Sequence, residues 1–319
     1  MIPLLTSSVT PIAVVAAANT IVWAKIPGRP RRVTAGRQRR YADTHMTSAR
    51  WIERRERFRA LHHDGLFVMP NPWDVGSARL LASFGFPALA TTSSGHAATL
   101  GRRDRHVTRD ELLAHAEALA AAVDLPINVD AERCFADDPA GVAETIELIA
   151  ETGAAGCSIE DYDPAHAAID PLDVAVERVA AAAGAARRYG IVLTARAENH
   201  LYGIDDLDDT IARLCAYRDA GADVLYAPGL VDRHAIGRLV DEVRAPVNVL
   251  ALRSGPSIPE LAAVGVRRVS TGGGLARAAY GALVAAAREL QTAGTSTYLD
   301  AAIPSRELDA ALQAGRPPA

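Results

Sequence analysis

The chain has 319 residues, of which 49% are hydrophobic and only 5% are aromatic. This length allows two domains, or one α/β barrel of about 250 residues with extensions, and the aliphatic composition favours helices packed on buried strands. A net charge of −4 and a pI near 6.1 exclude the basic surface typical of nucleic-acid-binding proteins, so we expect no nucleic-acid partner.

The first 45 residues differ in composition from the rest. An uncharged, Ala/Val-rich run from Met1 to Ala24 is interrupted by Pro11 and Asn19 and is followed by an arginine-rich segment. A signal peptide carries its positive charge before the apolar segment, and a membrane anchor needs about 20 apolar residues. We therefore interpret residues 1–45 as a disordered or weakly structured extension, or as a misassigned start with Met46 as the true one; a targeting segment is the alternative. We expect no membrane partner.

The next segment, Trp51 to His63, has the spacing of a helix. Ile52, Phe58 and Leu61 are placed to share one face. We expect this helix to cover the bottom of a barrel.

After it the chain repeats one pattern, a short apolar run followed by a helix of ten to twenty residues. The predicted strands are Leu66–Met69, Ala88–Thr92, Ile127–Asp130, Cys157–Glu160, Ile191–Ala195, Val224–Ala227, Val247–Ala251 and Arg268–Thr271. The predicted intervening helices are Asp74–Phe84, Arg109–Ala122, Asp138–Thr152, Pro171–Tyr189, Leu207–Ala220, Asp232–Val243 and Ser257–Val264. Eight such alternations predict a parallel TIM (β/α)8 barrel over residues 46–294, with extra N-terminal and C-terminal helices.

Two further helices exceed the eightfold count, Leu275–Ala293 and Tyr298–Ala314. Residues 295–319 are predicted to form a C-terminal helix and tail. This overhang is expected to pack either on a neighbouring subunit or across the barrel wall, and we therefore expect a homo-oligomer, a dimer or a tetramer.

Charged side chains follow three neighbouring strands. Asp130 and Glu132 end one strand and alternate onto the same side, Glu160 ends the next, and Arg196 ends the third. Such oxygen ligands suit Mg²⁺, with Mn²⁺ as an alternative, and an arginine fork suits an anionic substrate. We predict Asp130, Glu132 and Glu160 as metal residues; the alternative is that these acids are helix N-caps or surface charges.

Two small-residue segments could present backbone N–H groups to a substrate carboxylate or, in the second segment, to a phosphate. Ser93-Ser94-Gly95 follows the second strand, and Gly272-Gly273-Gly274 precedes a helix. A plain turn is the alternative for the first segment.

Three widely spaced cysteines, Cys134, Cys157 and Cys215, indicate neither a disulfide framework nor a zinc knuckle. We therefore expect a cytoplasmic protein. Cys134 and Cys157 lie near the predicted site and are either small buried residues or, for one of them, a reactive thiol.

With these residues in view, the chain resembles the isocitrate lyase and phosphoenolpyruvate mutase superfamily, and within it the 2-methylisocitrate lyases, from about Trp51 to Gly294. The segments that carry the resemblance are Pro70–Arg79, Thr91–Gly95, Leu100–Asp104, Val129–Glu132, Asp137–Pro139, Ser158–Asp161 and Thr194–Ala197. Each is short, but their order and spacing together are specific to the superfamily.

The resemblance implies a magnesium-dependent barrel that handles small 2-oxo or 2-hydroxy acids through an enolpyruvate-like oxyanion held by the metal. By motif match, Asp130 would ligate magnesium, with Glu132, Glu160 and Asp104 holding it directly or through water. The implied substrate-binding residues are Ser94, Gly95, His96, Arg196 and Asn248.

The chain departs from the family pattern in the lid. Lyases of this family carry a Lys-Lys/Arg-Cys-Gly-His segment after the fourth strand, whereas the matching loop Tyr162–Asp170 has no Lys, no Cys and one histidine, His166. The lid asparagine of the phosphonate mutases is missing too. His166, His96 and Tyr162 remain candidates for proton transfer, and the predicted catalytic set is Arg196, Asp104 and His166.

Three functions therefore stay open. The first is a lyase that makes or breaks a C–C bond in a small 2-oxo or 2-hydroxy acid through a pyruvate enolate. The second is P–C chemistry, as in a phosphoenolpyruvate or carboxyphosphonoenolpyruvate mutase or a phosphonopyruvate hydrolase. The third is an inactive barrel that binds a metabolite.

Overall fold

The computed structural model describes residues 49–316, so the predictions for residues 1–45 and for the last three residues fall outside it. Within this range eight parallel strands form the predicted barrel. They are β1 (Phe67–Met69), β2 (Leu89–Ala90), β3 (Ile127–Asp130), β4 (Gly156–Glu160), β7 (Val192–Arg196), β8 (Val224–Tyr226), β9 (Val247–Leu250) and β10 (Arg268–Ser270).

Each strand pairs with its neighbours in chain order, and β10 returns to pair with β1. The seam between β1 and β2 is bridged by the Ala90 amide, which donates to the Pro70 carbonyl at 3.1 Å. The sheet is therefore a nearly closed barrel, as predicted.

Eleven α-helices accompany the strands in the described range. They are α1 (Ala49–Ala60), α2 (Val75–Ser83), α3 (Ser93–Thr99), α4 (Arg109–Ala122), α5 (Pro139–Glu151), α6 (Leu172–Tyr189), α7 (Leu207–Asp219), α8 (Arg233–Val243), α9 (Ile258–Ala263), α10 (Gly274–Thr292) and α11 (Ser305–Ala314). Side-chain caps fix several starts, as where Thr108 and Glu111 form a capping box on α4. None of these helices is long and apolar enough to cross a membrane.

Helix α1 covers the bottom of the barrel, as expected, but not with the predicted face. Phe58 is fully buried and meets Phe67 edge to face, whereas Ile52 is 47% exposed, so its placement on the buried face was wrong. Arg54 and Arg55 of α1 are buried instead of Ile52. Arg54 donates to the carbonyls of Ala120 and Val123 at the end of α4, and Arg55 donates to three carbonyls near the ends of α5 and α6. Unpaired helix C-terminal carbonyls are good acceptors for guanidinium groups, which explains the buried arginines.

A short helix, a hairpin and a helix break were not predicted. Helix α3 forms where a turn or an open loop was considered, the loop after β4 contains a hairpin of β5 (Tyr162–Asp163) and β6 (Ala168–Ile169), and the last predicted helix is broken before α11. The break falls at Pro304, whose ring cannot continue the preceding 3₁₀ turn into a helix.

The last helix packs across the barrel wall, which is one of the two predicted arrangements. Helix α11 packs on α2 of the same chain, which is the barrel wall. Helix α10 buries only Ala276 and leaves several large apolar side chains in solvent, among them Tyr280, Leu283 and Leu290.

Candidate active site

A cavity of about 160 Å³ opens at the C-terminal ends of the strands. Its rim includes Asp104 and Leu201, its wall includes Ser94, Asp130 and Arg196, and its depth reaches Asn248 and Arg268. In parallel barrels this end carries the variable loops and hence the chemistry. The predicted carboxylates and the arginine do converge here.

Arg196 is the centre of the site. Its Nη1 lies 2.8 Å from Asp130 Oδ1, its Nε 2.8 Å from Glu198 Oε1 and its Nη2 3.2 Å from Glu160 Oε2. Burial lowers the pKa of Arg196, but these carboxylates outweigh burial and hold it well above its ordinary value. Arg196 is therefore a fixed cation surrounded by acids from three strands or strand ends.

A second guanidinium, that of Arg105, closes the acidic cluster from above. Arg105 Nη1 lies 2.6 Å from Glu160 Oε1, its Nη2 donates to the Tyr202 hydroxyl at 2.6 Å, and its Cζ lies 4.5 Å from the ring centroid of Tyr162. Tyr162 and Tyr202 stack with their ring centroids 3.7 Å apart. The loop after α3 and the hairpin after β4 thus meet over the site.

The acids outnumber these cations, since five carboxylates share two guanidinium groups. Burial raises the pKa of Glu132 to about 8, and Asp130, Glu160 and Asp104 add to the rise. Burial also raises the pKa of Glu160 to about 7, with Arg196 opposing the rise and Glu198 adding to it. Glu198 Oε2 is buried and lacks a hydrogen-bond donor among residues 49–316. Such a cluster favours an additional cation.

The predicted metal residues Asp130, Glu132 and Glu160 belong to this acidic cluster. Within the described part of the chain, no three His, Cys, Asp or Glu side chains are arranged to hold an ion directly, because Arg105 and Arg196 lie between the carboxylates. The donor chemistry nevertheless fits a hard divalent cation, since the donors are carboxylate oxygens with an excess of negative charge.

The predicted carboxylate-binding segment forms the start of α3. Ser94 lines the cavity, whereas the His96 side chain stacks on His115 of α4 with centroids 3.8 Å apart and Gly95 packs on Trp73 and Thr92. The Ser93 amide donates to Asp130 Oδ2, and the Gly95 and His96 amides donate to Thr92. Three N–H groups of this segment are therefore used within the protein.

The glycine-rich segment before α10 also reaches the cavity, through Gly272 and Gly273. The Gly272 amide donates to Asn71 Oδ1 at 3.0 Å, and a β-carbon at Gly273 would collide with Ser94 Oγ. A larger residue at Gly273 would force the Ser94 hydroxyl to move, because two segments of the cavity wall meet there.

Asp104 and His166 differ in position. Asp104 lies on the cavity rim, whereas His166 is 80% exposed at the hairpin turn and does not line the cavity. His166 Nδ1 lies 2.6 Å from Asp163 Oδ2, and this hydrogen bond raises the pKa of His166.

The two nearby cysteines are fully buried. Burial raises the pKa of Cys134 to about 12 and that of Cys157 well above the ordinary thiol value, which is the behaviour of small apolar residues rather than reactive thiols. Glu132, Cys134 and Phe135 all have left-handed φ values, of 48°, 61° and 53°. This loop therefore stores backbone strain beside the site.

Asp161, next to Glu160, points the opposite way because successive strand residues alternate. It accepts hydrogen bonds from the Tyr217 hydroxyl at 2.6 Å and from the Glu198 amide at 2.9 Å, outside the barrel interior. Asp161 therefore positions the strand end and does not face the cavity.

Two arginines of the site were not predicted, Arg105 and Arg268. Arg105 directly follows the predicted Asp104, but its position depends on a loop whose φ of 64° at Arg105 no sequence pattern indicates. Arg268 did carry a signal, since it is a charged residue within an otherwise apolar strand.

Residues 58–291 match the family model of phosphoenolpyruvate phosphomutase. A candidate lyase/mutase from Burkholderia cenocepacia J2315 has a crystal structure that is 53% identical, with a TM-score of 0.80, and the match covers 82% of this chain and 96% of that one. An uncharacterized protein of Mycobacterium tuberculosis is 36% identical over 259 residues, 80% of this chain and 95% of that protein. The probable 2-methylisocitrate lyase 2 of Corynebacterium glutamicum is 32% identical over 187 residues, 56% of this chain and 60% of that protein.

Proposed function

The chain belongs to the phosphoenolpyruvate phosphomutase family, within the isocitrate lyase and phosphoenolpyruvate mutase superfamily, and from this premise we propose a magnesium-dependent carbon–carbon lyase. Its substrate is a small 2-oxo or 2-hydroxy carboxylic acid. The observation that carries the proposal is the convergence of Asp130, Glu160 and Arg196 on one cavity, with carboxylates in excess of guanidinium groups.

The cavity suits a small acid. Its volume of about 160 Å³ is too small for a nucleotide but admits several water molecules or a short-chain acid in their place. Arg196 contributes a planar fork of N–H donors, and Ser94 contributes a hydroxyl on the opposite wall. These groups orient a substrate carboxylate.

In the proposed reaction on a 2-oxo acid, the bond between C3 and its outer carbon substituent breaks, and the electron pair stays on C3 and spreads through C2 onto the 2-oxo oxygen as a pyruvate enolate. The substituent leaves without that pair, a carboxylate leaving as CO2, and C3 then takes up a proton from solvent. On a 2-hydroxy acid the hydroxyl group loses its proton, C2 becomes the carbonyl carbon of the oxo-acid product, and the pair of the broken C2–C3 bond goes to the other fragment as the enolate of its carboxylate.

Asp130, Glu132 and Glu160 would hold Mg²⁺, or Mn²⁺, directly or through water, with Asp104 at the rim. The ion would supply positive charge beside the developing oxyanion, which is worth several kcal/mol. Arg196 adds fixed positive charge from the protein itself.

The side chains over the site shield Glu160 from solvent. The stacked rings of Tyr162 and Tyr202 and the guanidinium of Arg105 lie over Glu160, which is 4% exposed. Exclusion of water strengthens charge interactions below these side chains and protects an enolate from premature protonation. His166 stays a candidate proton donor that could act only if the hairpin turned toward the cavity.

The second candidate is P–C chemistry, because the matching family model is that of a phosphomutase. A mutase of phosphoenolpyruvate or carboxyphosphonoenolpyruvate, or a phosphonopyruvate hydrolase, would use the same enolate. The third candidate is an inactive barrel that binds a metabolite, which the missing lid cysteine suggests.

A substrate screen separates the three. Small 2-oxo acids, 2-hydroxy acids and phosphonates are incubated with the protein and Mg²⁺ or EDTA, while pyruvate, other oxo-acid products and phosphate are measured. Magnesium-dependent cleavage without phosphate supports the lyase, phosphate release supports P–C hydrolysis, and interconversion of phosphonate and phosphate ester supports a mutase. Absence of turnover together with magnesium-independent oxalate binding would support the inactive barrel.

We further propose a cytoplasmic homo-oligomer, a dimer or a tetramer. Helix α10 exposes 62% of Leu283 and 49% of Leu290, and a second copy of this chain is the occupant we propose for that face. Light scattering after size exclusion tests this, and a monomer at micromolar concentration would contradict it.

A further inference from the structure

The interior of the barrel below the acidic cluster is polar, although barrel interiors are usually filled by Val, Ile and Leu. The side chains concerned lie on four strands and line the same cavity: Asn128, Thr194, Asn248, Arg268 and Ser270. All are at least nine-tenths buried. A polar layer this deep requires an explanation beyond packing.

Arg268 is the charged member of this layer and is 1% exposed. Its Nε donates to Asn248 Oδ1 at 2.9 Å, its Nη2 donates to Thr194 Oγ1 at 2.8 Å and its Nη1 lies 3.2 Å from His62 Nε2. All three acceptors are uncharged, since His62 Nδ1 lies 2.8 Å from the Phe58 carbonyl and donates to it, which leaves Nε2 as an acceptor. Burial also lowers the pKa of His62 to about 3, so it stays neutral.

Arg268 therefore differs from the other buried arginines of the site. Arg196 is surrounded by carboxylates and Arg105 pairs with Glu160, whereas Arg268 makes no ion pair with any acidic side chain of residues 49–316. Burial lowers the pKa of Arg268 to about 9, which leaves it protonated at neutral pH. A buried cation without a counter-charge is costly, and an anion from outside would remove the cost.

Access and geometry favour such an anion. Arg268 reaches across the barrel to Thr194, which lies two residues before Arg196 on β7, so both arginines face the same cavity from successive layers. The three hydrogen bonds of Arg268 use three of its five N–H donors, which leaves two for a ligand. Asn128, 4% exposed, also lines this depth, and its Oδ1 has no hydrogen-bond partner in the described range. Its amide group is therefore free to turn a donor toward a ligand.

We propose that Arg268 binds a second anionic group of the substrate, a carboxylate or a phosphonate carried on the carbon next to the oxygenated one. This inference rests on the proposed function, in which the first carboxylate is held near Arg196. It makes Arg268 a specificity residue that selects doubly charged acids over singly charged ones.

The test compares three acids that differ only in the group on C3, namely lactate, malate and 3-phosphonolactate. Their affinities are measured by calorimetry with Mg²⁺ present, in the wild type and in Arg268→Gln. We expect the wild type to bind malate or 3-phosphonolactate at least tenfold more tightly than lactate. In R268Q that preference should fall below threefold while the affinity for lactate changes by less than threefold. Which doubly charged acid binds better distinguishes carboxylate from phosphonate.

Arg55→Gln is the matched control, because Arg55 is also buried but donates to carbonyls at the bottom of the barrel. It should keep the wild-type preference. A tenfold preference that survives in R268Q overturns the inference, as does a wild type that binds lactate and malate equally. If neither oxalate nor any of the three acids binds, the proposed function itself fails, which is a different result.

A crystal structure of the wild type with malate decides the matter if R268Q does not fold. The inference requires the C4 carboxylate to lie within hydrogen-bond distance of the Arg268 guanidinium. A C4 carboxylate that points to the cavity mouth would overturn it.

Discussion

Arg105 forms a 2.6 Å ion pair with Glu160, one of the three carboxylates proposed to bind magnesium. Glu160 is 4% exposed and has Arg196 on its other oxygen, so the protein itself already supplies two cations to one buried acid. Arg105 thus supplies part of the positive charge that a divalent ion would give to these carboxylates. Because Arg105 belongs to a loop and not to a strand, it is the group that can be displaced.

Replacing Arg105 by glutamine should therefore tighten metal binding. Removal of one positive charge a few ångströms from the acids strengthens their attraction for Mn²⁺ by about tenfold or more, because even at the dielectric constant of water a unit charge about 5 Å from a divalent ion repels it by roughly 1.5 kcal/mol. Mn²⁺ affinity measured by electron paramagnetic resonance checks this. Arg103→Gln, which removes the same charge from an exposed position of the same loop, should change the affinity less than twofold. Weaker binding in R105Q would mean that Arg105 assists the metal.

The proposed metal site depends most on Asp130. Its two oxygens already receive Arg196 and the Ser93 amide, and it lines the cavity where the substrate must lie. We expect Asp130→Asn to reduce magnesium-dependent oxalate binding at least a hundredfold, because an amide is a poor replacement for an anionic ligand of a hard cation. Calorimetry with oxalate and Mg²⁺ measures it. Asp137→Asn, at a fully exposed acid seven residues along, is the control, and unchanged oxalate binding in D130N would remove Asp130 from the site.

Arg196→Lys tests whether the site needs the planar guanidinium group of Arg196 or only its positive charge. Arg196 contacts Asp130, Glu160 and Glu198 through three different nitrogen atoms. A lysine keeps the positive charge, but its three N–H donors are all on one nitrogen, so it cannot hydrogen-bond to these acids and to a substrate carboxylate at the same time. We expect oxalate affinity to fall by about tenfold or more, with the magnesium dependence retained. Arg213→Lys is a control at another arginine that contacts two acids outside the cavity. Equal oxalate affinity in R196K and the wild type would show that charge alone is sufficient at this position.

The sequence was informative about the barrel because periodicity and caps are local signals. Helix α4 begins and ends at the predicted residues, and Thr108 and Glu111 form a capping box at its start. Gly153 and Gly190, which follow α5 and α6, have left-handed φ values of 86° and 70°. Ile52 was misplaced because the covering helix buries arginines against helix ends, a tertiary effect that an apolar pattern does not report.

The site residues at strand ends were also predictable from local signals, whereas those in loops were not. Asp130, Glu160 and Arg196 end parallel strands, so alternation alone brings them to one mouth. Arg105 was not predictable because a loop carries it, and the side chain of His96 turns to His115 because the segment after β2 is helical rather than open. The polar barrel interior was overlooked because Arg268 was counted as part of an apolar strand.

Arg244 offers a stability test away from the site. It ends α8 with φ 49° and ψ 40°, its amide donates to the Val240 carbonyl, and its side chain is exposed. A left-handed residue with a β-carbon is strained by about 1 kcal/mol, and glycine removes this strain at the cost of about 0.5 kcal/mol of added freedom in the unfolded chain. Arg244→Gly should therefore raise the free energy of unfolding by about 0.5 kcal/mol. Urea denaturation measures it, Arg244→Ala should show no gain, and a destabilised R244G would contradict the argument.

The stacked pair His96 and His115 should make the protein sensitive to acid. Burial lowers the pKa of His115 to about 4, and His96 adds to the effect, while an unfolded histidine titrates near its ordinary value of 6.5. Below pH 6.5 the histidine therefore binds a proton in the unfolded chain but not in the folded protein. The free energy of unfolding falls as the pH is lowered, until the pH reaches about 4. Between pH 7.5 and pH 5 this loss is about 1 to 2 kcal/mol.

Urea denaturation of the wild type and of His115→Phe at pH 7.5 and pH 5 measures the contribution. Phenylalanine keeps an aromatic ring against His96 but cannot bind a proton, so H115F should lose about 1 to 2 kcal/mol less than the wild type over this interval. The comparison is between the two pH values within each protein, so any packing change in H115F cancels. Equal losses in the two proteins would mean that folded His115 binds its proton as readily as the unfolded chain does.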